Sequence, residues 1–126
     1  MVVAFAPLRM KGIRPAPRIA LAVNTPTQGW VILPANSDPF NVMEEAKAQQ
    51  TAESLQVPGQ PFWQFGARFS EKEKFFAWFV AGTLPNWQGT PLTLIVLLEE
   101  DNASPIQELP LAESMGKALL IEALEP

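Results

Sequence analysis

The chain has 126 residues, the usual size of one domain, and we predict a single domain over residues 1–126. Hydrophobic residues make up 48% of the chain, and it contains neither cysteine nor histidine. These absences exclude disulfides, thiol nucleophiles, Cys/His zinc sites and His-based catalytic triads. The net charge of −4 argues against a nucleic-acid partner. No apolar run approaches the ~20 residues of a transmembrane helix, so no membrane span is expected.

The first half of the chain predicts a hairpin followed by a helix. Its first eighteen residues carry three prolines and predict an irregular lead-in. Arg18–Asn24 and Trp30–Leu33 are short apolar runs on either side of a turn that contains Pro and Gly, a pattern typical of a hairpin. Ser37–Pro39 has the residues of a helix start, and the helix-forming sequence continues to Leu55, where Val57–Gly59 stops it.

Three strands and a closing helix are predicted in the second half. Pro61–Phe69 alternates in part, whereas Lys74–Ala81 and Leu92–Leu98 are almost wholly apolar, which predicts cover on both faces. One buried face is expected to hold Phe76, Trp78, Val80, Leu94, Val96 and Leu98, with Phe79 and Ile95 on the other. Leu111–Leu124 predicts a helix that is apolar nearly all round and therefore buried on more than one side. The order of elements predicts an α+β fold, with an antiparallel sheet of the hairpin plus three C-terminal strands, packed by two helices.

Several segments match a known family in the same order. Ala77–Gly82 reads Ala-Trp-Phe-Val-Ala-Gly, Leu94–Leu98 is a very apolar strand followed by acidic residues and Asn102, and Pro7–Met10 reads Pro-Leu-Arg-Met. With the closing helix Leu111–Leu124, these segments resemble the C-terminal part of a penicillin-binding protein transpeptidase domain. The resemblance covers most of the chain but only the last part of such a domain. It therefore allows the chain to be a fragment of a larger transpeptidase-like domain.

The departures from that family concern its catalytic motifs. The resemblance places Gln64, Phe65, Gly66 and Ala67 where the family has Lys-Thr-Gly-Thr, whose lysine and hydroxyl help to hold the substrate carboxylate. Only Gly66 remains of that motif. The family's Ser-x-x-Lys nucleophile motif and its Ser-x-Asn motif belong upstream, in sequence that this chain does not contain. The resemblance therefore implies a non-catalytic transpeptidase-like domain related to peptidoglycan synthesis, with no enzyme activity and no cofactor.

Two accounts of the chain's context stay open. As part of a penicillin-binding protein it would lie in the cell envelope; as a free-standing chain it would be a cytoplasmic dimerisation or protein-interaction module with no enzymatic role. Met1–Leu8 is apolar, but its positive charges follow it, unlike those of a signal peptide. In either case we expect a homodimer or contact with the remainder of a larger protein, because few elements can cover two strands that are apolar on both faces. That contact is expected to involve Leu120, Ile121 and Leu124, or the uncovered face of the sheet.

Two tryptophans are candidate ligand or partner contacts. Trp63 lies in a region rich in aromatic residues, and Trp87 lies in a loop with Gly and Pro, where a large aromatic side chain is expected to contact something specific. A third function, the binding of a small ligand by Trp63, Gln64 and Trp87, rests on this region. Gly66 within a strand marks a bulge, tight packing or an edge that pairs with substrate.

Two further patterns have simple structural explanations. Ser114 and Lys117 read formally as Ser-x-x-Lys, but they lie in the closing helix, where a chance match is the simpler explanation. Glu99, Glu100 and Asp101 could perform acid/base work or hold a hard cation, although such clusters more often form the solvated end of a strand. No metal site is predicted.

Overall fold

The computed structural model describes residues 2–18, 20–71, 74–101 and 108–124, and these ranges have the predicted α+β fold. In chain order the elements are α1 (Val2–Arg9), β1 (Ile13–Arg14), β2 (Ala22–Thr25), β3 (Gly29–Ile32), β4 (Phe40–Asn41), α2 (Glu45–Ser54), β5 (Phe62–Glu71), β6 (Lys74–Thr83), β7 (Thr93–Asp101) and α3 (Glu108–Leu124). The described strands form three antiparallel sheets, β1–β4, β2–β3 and β5–β6–β7.

The three-stranded sheet organises the core, and α3 covers one of its faces. Phe79 in the central strand β6 pairs with Gly66 of β5 and Val96 of β7. Because side chains alternate between the faces of a strand, Phe79 lies on the same face as these partners. This face packs on α3 through a cluster that includes Phe62, Ala77, Phe79, Ala81, Ala112 and Leu120. We call it the α3 face.

The opposite face, here called the α1 face, is covered at one end by the first two helices. Val80 and Trp63 lie there in a second buried cluster with Leu8 of α1, Ala52 of α2 and Leu84. The core is therefore two clusters divided by one sheet, which explains why β6 is apolar along both faces.

The N-terminal helix α1 corrects the prediction of an irregular lead-in. Pro7 lies inside this helix and is buried, as is Leu8 beside it. Proline lacks the N–H that an interior helical position donates, which is why the sequence argued against a helix here. The packing of Leu8 and Phe5 against Trp63 and Val80 supports the helix in spite of that missing bond.

The predicted division of β6 and β7 between the two faces was wrong. The register pairs Ala77 with Leu98, Phe79 with Val96 and Ala81 with Leu94. The even-numbered residues of β7 therefore lie on the α3 face, opposite to Trp78 and Val80. Since both strands are apolar at nearly every position, alternation carries no information about which residues face which side.

The helix α2 ends at Ser54 with Leu55 as its C-cap, within one residue of the predicted end, but it begins later than Ser37–Pro39. Phe40 and Asn41 instead form β4, which pairs with β1, and the backbone N–H of Val42 donates to the carbonyl of Gly12 (3.0 Å). Gly12 has a φ of +84°, and a Cβ there would overlap the carbonyl oxygen of Met43. This long-range contact keeps the segment extended until Glu44, the N-cap of α2.

The predicted hairpin is confirmed, with Ala22 paired to Ile32 and Thr25 paired to Gly29. It forms a two-stranded sheet of its own and is not joined to the three-stranded sheet. The Thr25 hydroxyl closes its turn, accepting from the N–H of Gln28 (3.1 Å) and donating to the carbonyl of Gly29 (3.2 Å).

The closing helix α3 buries one face, not several as predicted. Ala112, Gly116 and Leu120 recur every four residues along the buried face, while Leu111 and Leu119 are about half exposed. Leu120 is only 1% exposed and packs inside this chain, so it is not available for the expected dimer contact.

Candidate functional site

The predicted site residues lie at the end of the three-stranded sheet where β5 begins and β6 ends. Trp63 pairs with Gly82, and the N–H of Leu84 donates to the carbonyl of Pro61 (3.0 Å). The loop after β6, which carries Trp87, therefore starts beside the first residues of β5. The structure brings Trp63, Gln64 and the Trp87 loop to one end of the molecule.

Trp63 is part of the core at this end and is fully buried. Its ring lies over Gly82, where a Cβ would come within 2.7 Å of Trp63 Cζ2. Phe5 of α1 lies on the same ring system, with ring centroids 6.5 Å apart. The indole Nε1 has no hydrogen-bond partner among the described residues. Trp63 therefore supports the position of its neighbours and presents no surface to a ligand.

The residues that the resemblance to the transpeptidase family sets against Lys-Thr-Gly-Thr, Gln64 to Ala67, follow regular alternation along β5. Gln64 is half-buried on the α3 face with its partner Ala81, and its Oε1 is buried without a hydrogen-bond partner in the described part of the chain. Phe65 lies on the α1 face and is about half exposed. Gly66 and Ala67 each pair with a single residue of β6, so Gly66 marks no bulge.

The backbone of β5 is partly open along its outer edge. Near its start the edge is filled by the segment after α2: the N–H of Gln64 donates to the carbonyl of Leu55 (3.1 Å), and that of Val57 donates to the carbonyl of Phe62 (3.1 Å). Backbone groups of an antiparallel edge strand point outward at every second residue. Gly66 is therefore the next residue whose N–H and C=O point outward, and no strand described in the structure pairs with it there.

Trp87 is half-buried and held by an interaction that the sequence did not indicate. Arg9 donates from Nε to Thr83 Oγ1 (3.2 Å), from Nη1 to the carbonyl of Pro85 (3.1 Å) and from Nη2 to the carbonyl of Trp87 (3.1 Å). We call this interaction the Arg9 clamp. Its partners lie 74 or more residues away in sequence, so no local pattern could have identified it.

The Trp87 ring folds back on its own loop. A Cβ at Gly89 would lie 2.6 Å from Trp87 Nε1, so only glycine allows the ring this position. Trp87 and Gly89 line a shallow depression together with Ala123 and Leu124 at the end of α3. Of the two predicted contact tryptophans, Trp87 is thus the one with a surface that a ligand or partner could reach.

The structure does not bring Ser114 and Lys117 together as a reactive pair. Lys117 Nζ instead lies 3.5 Å from Glu113 Oε2, and no hydrogen bond joins it to Ser114 within the described residues. Glu99 forms an ion pair with Lys74 across the strands. The side chains of Glu100 and Asp101 lie outside the part described. No group of His, Cys, Asp or Glu that could hold a metal ion is found in the described ranges.

Comparisons with known proteins give a likeness in structure but none in sequence. No family model matches the chain, and no curated protein matches it in sequence. The fold is similar to that of a peptidoglycan synthetase from Bifidobacterium adolescentis, with a TM-score of 0.67 and 14% sequence identity over 99% of this chain. The chain spans 27% of the length of that protein. The match supports the expected fold, the one resembling the C-terminal part of a transpeptidase domain.

In the described ranges, no helix is long and apolar enough to cross a membrane.

Proposed function

We propose that this chain is a non-catalytic transpeptidase-like domain that serves peptidoglycan synthesis in the cell envelope. The observation that carries the proposal is a fold similar to that of a peptidoglycan synthetase. It is joined by the chemistry of β5, where a neutral amide and an apolar ring, Gln64 and Phe65, stand at the positions that the sequence resemblance sets against the Lys-Thr pair. Acyl transfer needs an activated nucleophile with a base within hydrogen-bond reach, and a substrate carboxylate needs a cation or hydroxyl.

The cation at this end of the sheet does not replace the missing lysine. All three of the Arg9 hydrogen bonds go to groups in or just after β6, namely Thr83, Pro85 and Trp87. The guanidinium is therefore used to hold the loop. Ser114, the one candidate nucleophile of the Ser-x-x-Lys pattern, is exposed on α3, and Lys117 is paired with Glu113. These contacts support a role in binding without catalysis.

The outer edge of β5 retains the means to bind an extended peptide. The N–H and C=O of Gly66 point outward, and a peptide could add there as a further antiparallel strand. We propose that a peptidoglycan stem peptide binds along this edge and is released unchanged.

Titration of the ¹⁵N-labelled chain with a stem peptide tests this proposal. We expect saturable shifts of the amides of Gly66 and its neighbours. Gly66→Pro should abolish them while preserving the fold, because the N–H that it removes points out of the sheet. Ser37→Pro, in the exposed segment between β3 and β4, is a control substitution outside β5, because the N–H of Ser37 has no hydrogen-bond partner among the described residues. Binding that survives Gly66→Pro would contradict the edge site.

A second function, a protein-interaction module, is supported by a different surface. The first two helices cover only one end of the α1 face. Toward the other end, three side chains on this face are each about half exposed: Phe65, Phe69 and Leu97. Phe69 stacks on Phe76, with ring centroids 4.7 Å apart, which makes the surface a continuous aromatic one. We name Phe65, Phe69, Phe76 and Leu97 the sheet patch.

The sheet patch continues to the outer edge of β7. The backbone N–H of Thr83 donates to the carbonyl of Leu92. The backbone N–H and C=O groups of even-numbered residues of β7 therefore bond to β6, and those of odd-numbered residues, including Leu97, point away from β6 toward the open edge. No strand within the described ranges pairs with that edge. An apolar surface next to an open edge favours pairing with another chain or with more of the same protein. We propose that a second copy, or the remainder of a longer protein, covers it.

A further inference from the structure

The β2–β3 hairpin exposes large apolar side chains that no described residue covers. Trp30 is 73% exposed and Ile32 is 74% exposed. They lie on the same face of the hairpin, since they are two residues apart on one strand. Leu21, just before β2, is 64% exposed. The two strands contact mainly each other, and an isolated two-stranded hairpin of this kind is only marginally stable in water.

The hairpin is also free of charge, and its base is basic. No charged residue occurs between Arg18 and Asp38, and the chain before Asp38 carries four basic and no acidic residues. Arg18 lies at the base, where it lines one depression with Pro17 and Leu33 from the two ends of the hairpin. It is exposed and forms no ion pair within the described ranges.

The other three basic residues of this region already have contacts. Arg9 forms the Arg9 clamp, and Lys11 Nζ lies 2.9 Å from Glu45 Oε1. The Arg14 guanidinium lies 4.8 Å from the centre of the Phe40 ring, a contact that leaves its charge in place. Arg18 and Arg14 are thus the cations available to an anionic partner beside the hairpin.

We propose that the hairpin docks on the surface of an anionic lipid bilayer, with Trp30 and Ile32 in the interfacial layer and Arg18 against lipid phosphates. Tryptophan favours this layer because its ring is apolar and its N–H is polar. An uncharged hairpin can enter it without burying a charge. The unpaired outer edges of its strands exclude deeper insertion, because those N–H and C=O groups need water or headgroups as partners. Basic residues at the base match the negative surface potential.

Vesicle co-sedimentation of the full chain tests the proposal. The probes are vesicles of phosphatidylglycerol and phosphatidylcholine in equal parts, and vesicles of phosphatidylcholine alone. We expect binding to the anionic vesicles that weakens with salt. Trp30→Ser with Ile32→Ser should weaken it by about tenfold or more, because two interfacial apolar anchors are lost. Arg18→Ser should weaken binding to anionic vesicles by about fivefold and leave any binding to phosphatidylcholine unchanged.

A control removes two exposed apolar side chains elsewhere on the surface. Leu111→Ser with Leu119→Ser replaces two side chains of α3 that are each just over half exposed, and it should leave vesicle binding unchanged. Far-ultraviolet circular dichroism of every variant establishes that the fold is kept. The proposal is overturned if the parent chain does not bind anionic vesicles or if the hairpin variant binds as well as the parent. It is equally overturned if the hairpin substitutions abolish self-association in lipid-free solution, which would assign Trp30 and Ile32 to a protein contact.

Discussion

Gly116 of α3 lies directly against the ring of Phe79 of β6, so close that a Cβ at position 116 would overlap that ring. Phe79 is fully buried at the centre of the three-stranded sheet. The helix therefore approaches the sheet at the one point where it has no side chain, and the ring of Phe79 fills the space. This contact fixes the position of α3 along the sheet.

Replacing Gly116 with alanine should destabilise the protein in spite of the better helix propensity of alanine. Overpacking of a close-packed core costs about 1–3 kcal/mol, against a gain of up to about 1 kcal/mol from removing a helical glycine. We expect a net loss of about 1–2 kcal/mol in urea unfolding. Ser114→Ala, on the exposed side of the same helix, is the control and should change stability by less than about 0.5 kcal/mol. A stabilised Gly116→Ala variant would contradict the close approach of α3 to Phe79.

Leu120 and Leu119 are neighbours in α3 with opposite environments, 1% and 54% exposed. Leu120→Ala should lower the free energy of unfolding by about 2–5 kcal/mol, since it leaves a cavity between α3 and β6. Leu119→Ala should lower it by less than about 1 kcal/mol. Chemical denaturation of the two variants gives the comparison. Equal losses would mean that the helix is rotated about its axis relative to this structure.

No acylation by β-lactams is expected, because the resemblance to the transpeptidase family sets Gln64 and Phe65 against its Lys-Thr pair, and Lys117 is paired with Glu113 and not with Ser114. Incubation with a fluorescent penicillin, followed by denaturing electrophoresis, should show no labelled band. Ser114→Ala is the matched variant. A stoichiometric band that this substitution removes would overturn the non-catalytic proposal.

The isolated chain should self-associate through the sheet patch. Sedimentation equilibrium at micromolar concentration should show species heavier than the 13.9 kDa monomer. Leu97→Lys should restore the monomer, because it places a charge beside the open edge of β7. Leu119→Lys on α3 is the control and should leave the association unchanged. A parent chain that stays monomeric would count against a second copy as the cover of this surface.

The strands and the closing helix were predictable because each is long and strongly patterned in its own sequence. Phe75–Ala81 is apolar throughout, and the Pro- and Gly-containing loop that follows marks the next turn. The features that were missed depend on distant partners. Pro7 argues against a helix that Trp63 and Val80 stabilise, and the helix-start residues at positions 37–39 are overridden by the pairing of β4 with β1.

The candidate site was predictable only in its location. A strand with Gln64 at its start and a loop with Trp87 could be read from the sequence, and the structure places both at one end of the sheet. The burial of Trp63 could not be predicted from the sequence, because clusters of aromatic residues occur both in cores and on binding surfaces. The Arg9 clamp left no sequence signal, since its acceptors include two backbone carbonyls.

The Arg9 clamp makes the first helix and the loop after β6 a single cooperative unit. If α1 detaches, Thr83 Oγ1 and the carbonyls of Pro85 and Trp87 lose their charged donor together; if the loop opens, Arg9 loses all three acceptors. Local opening of either segment therefore has nearly the same free energy as opening of both. Hydrogen exchange of the amides in α1 and in residues 84–87 should then report one common free energy of opening, although the two segments are separated by most of the chain.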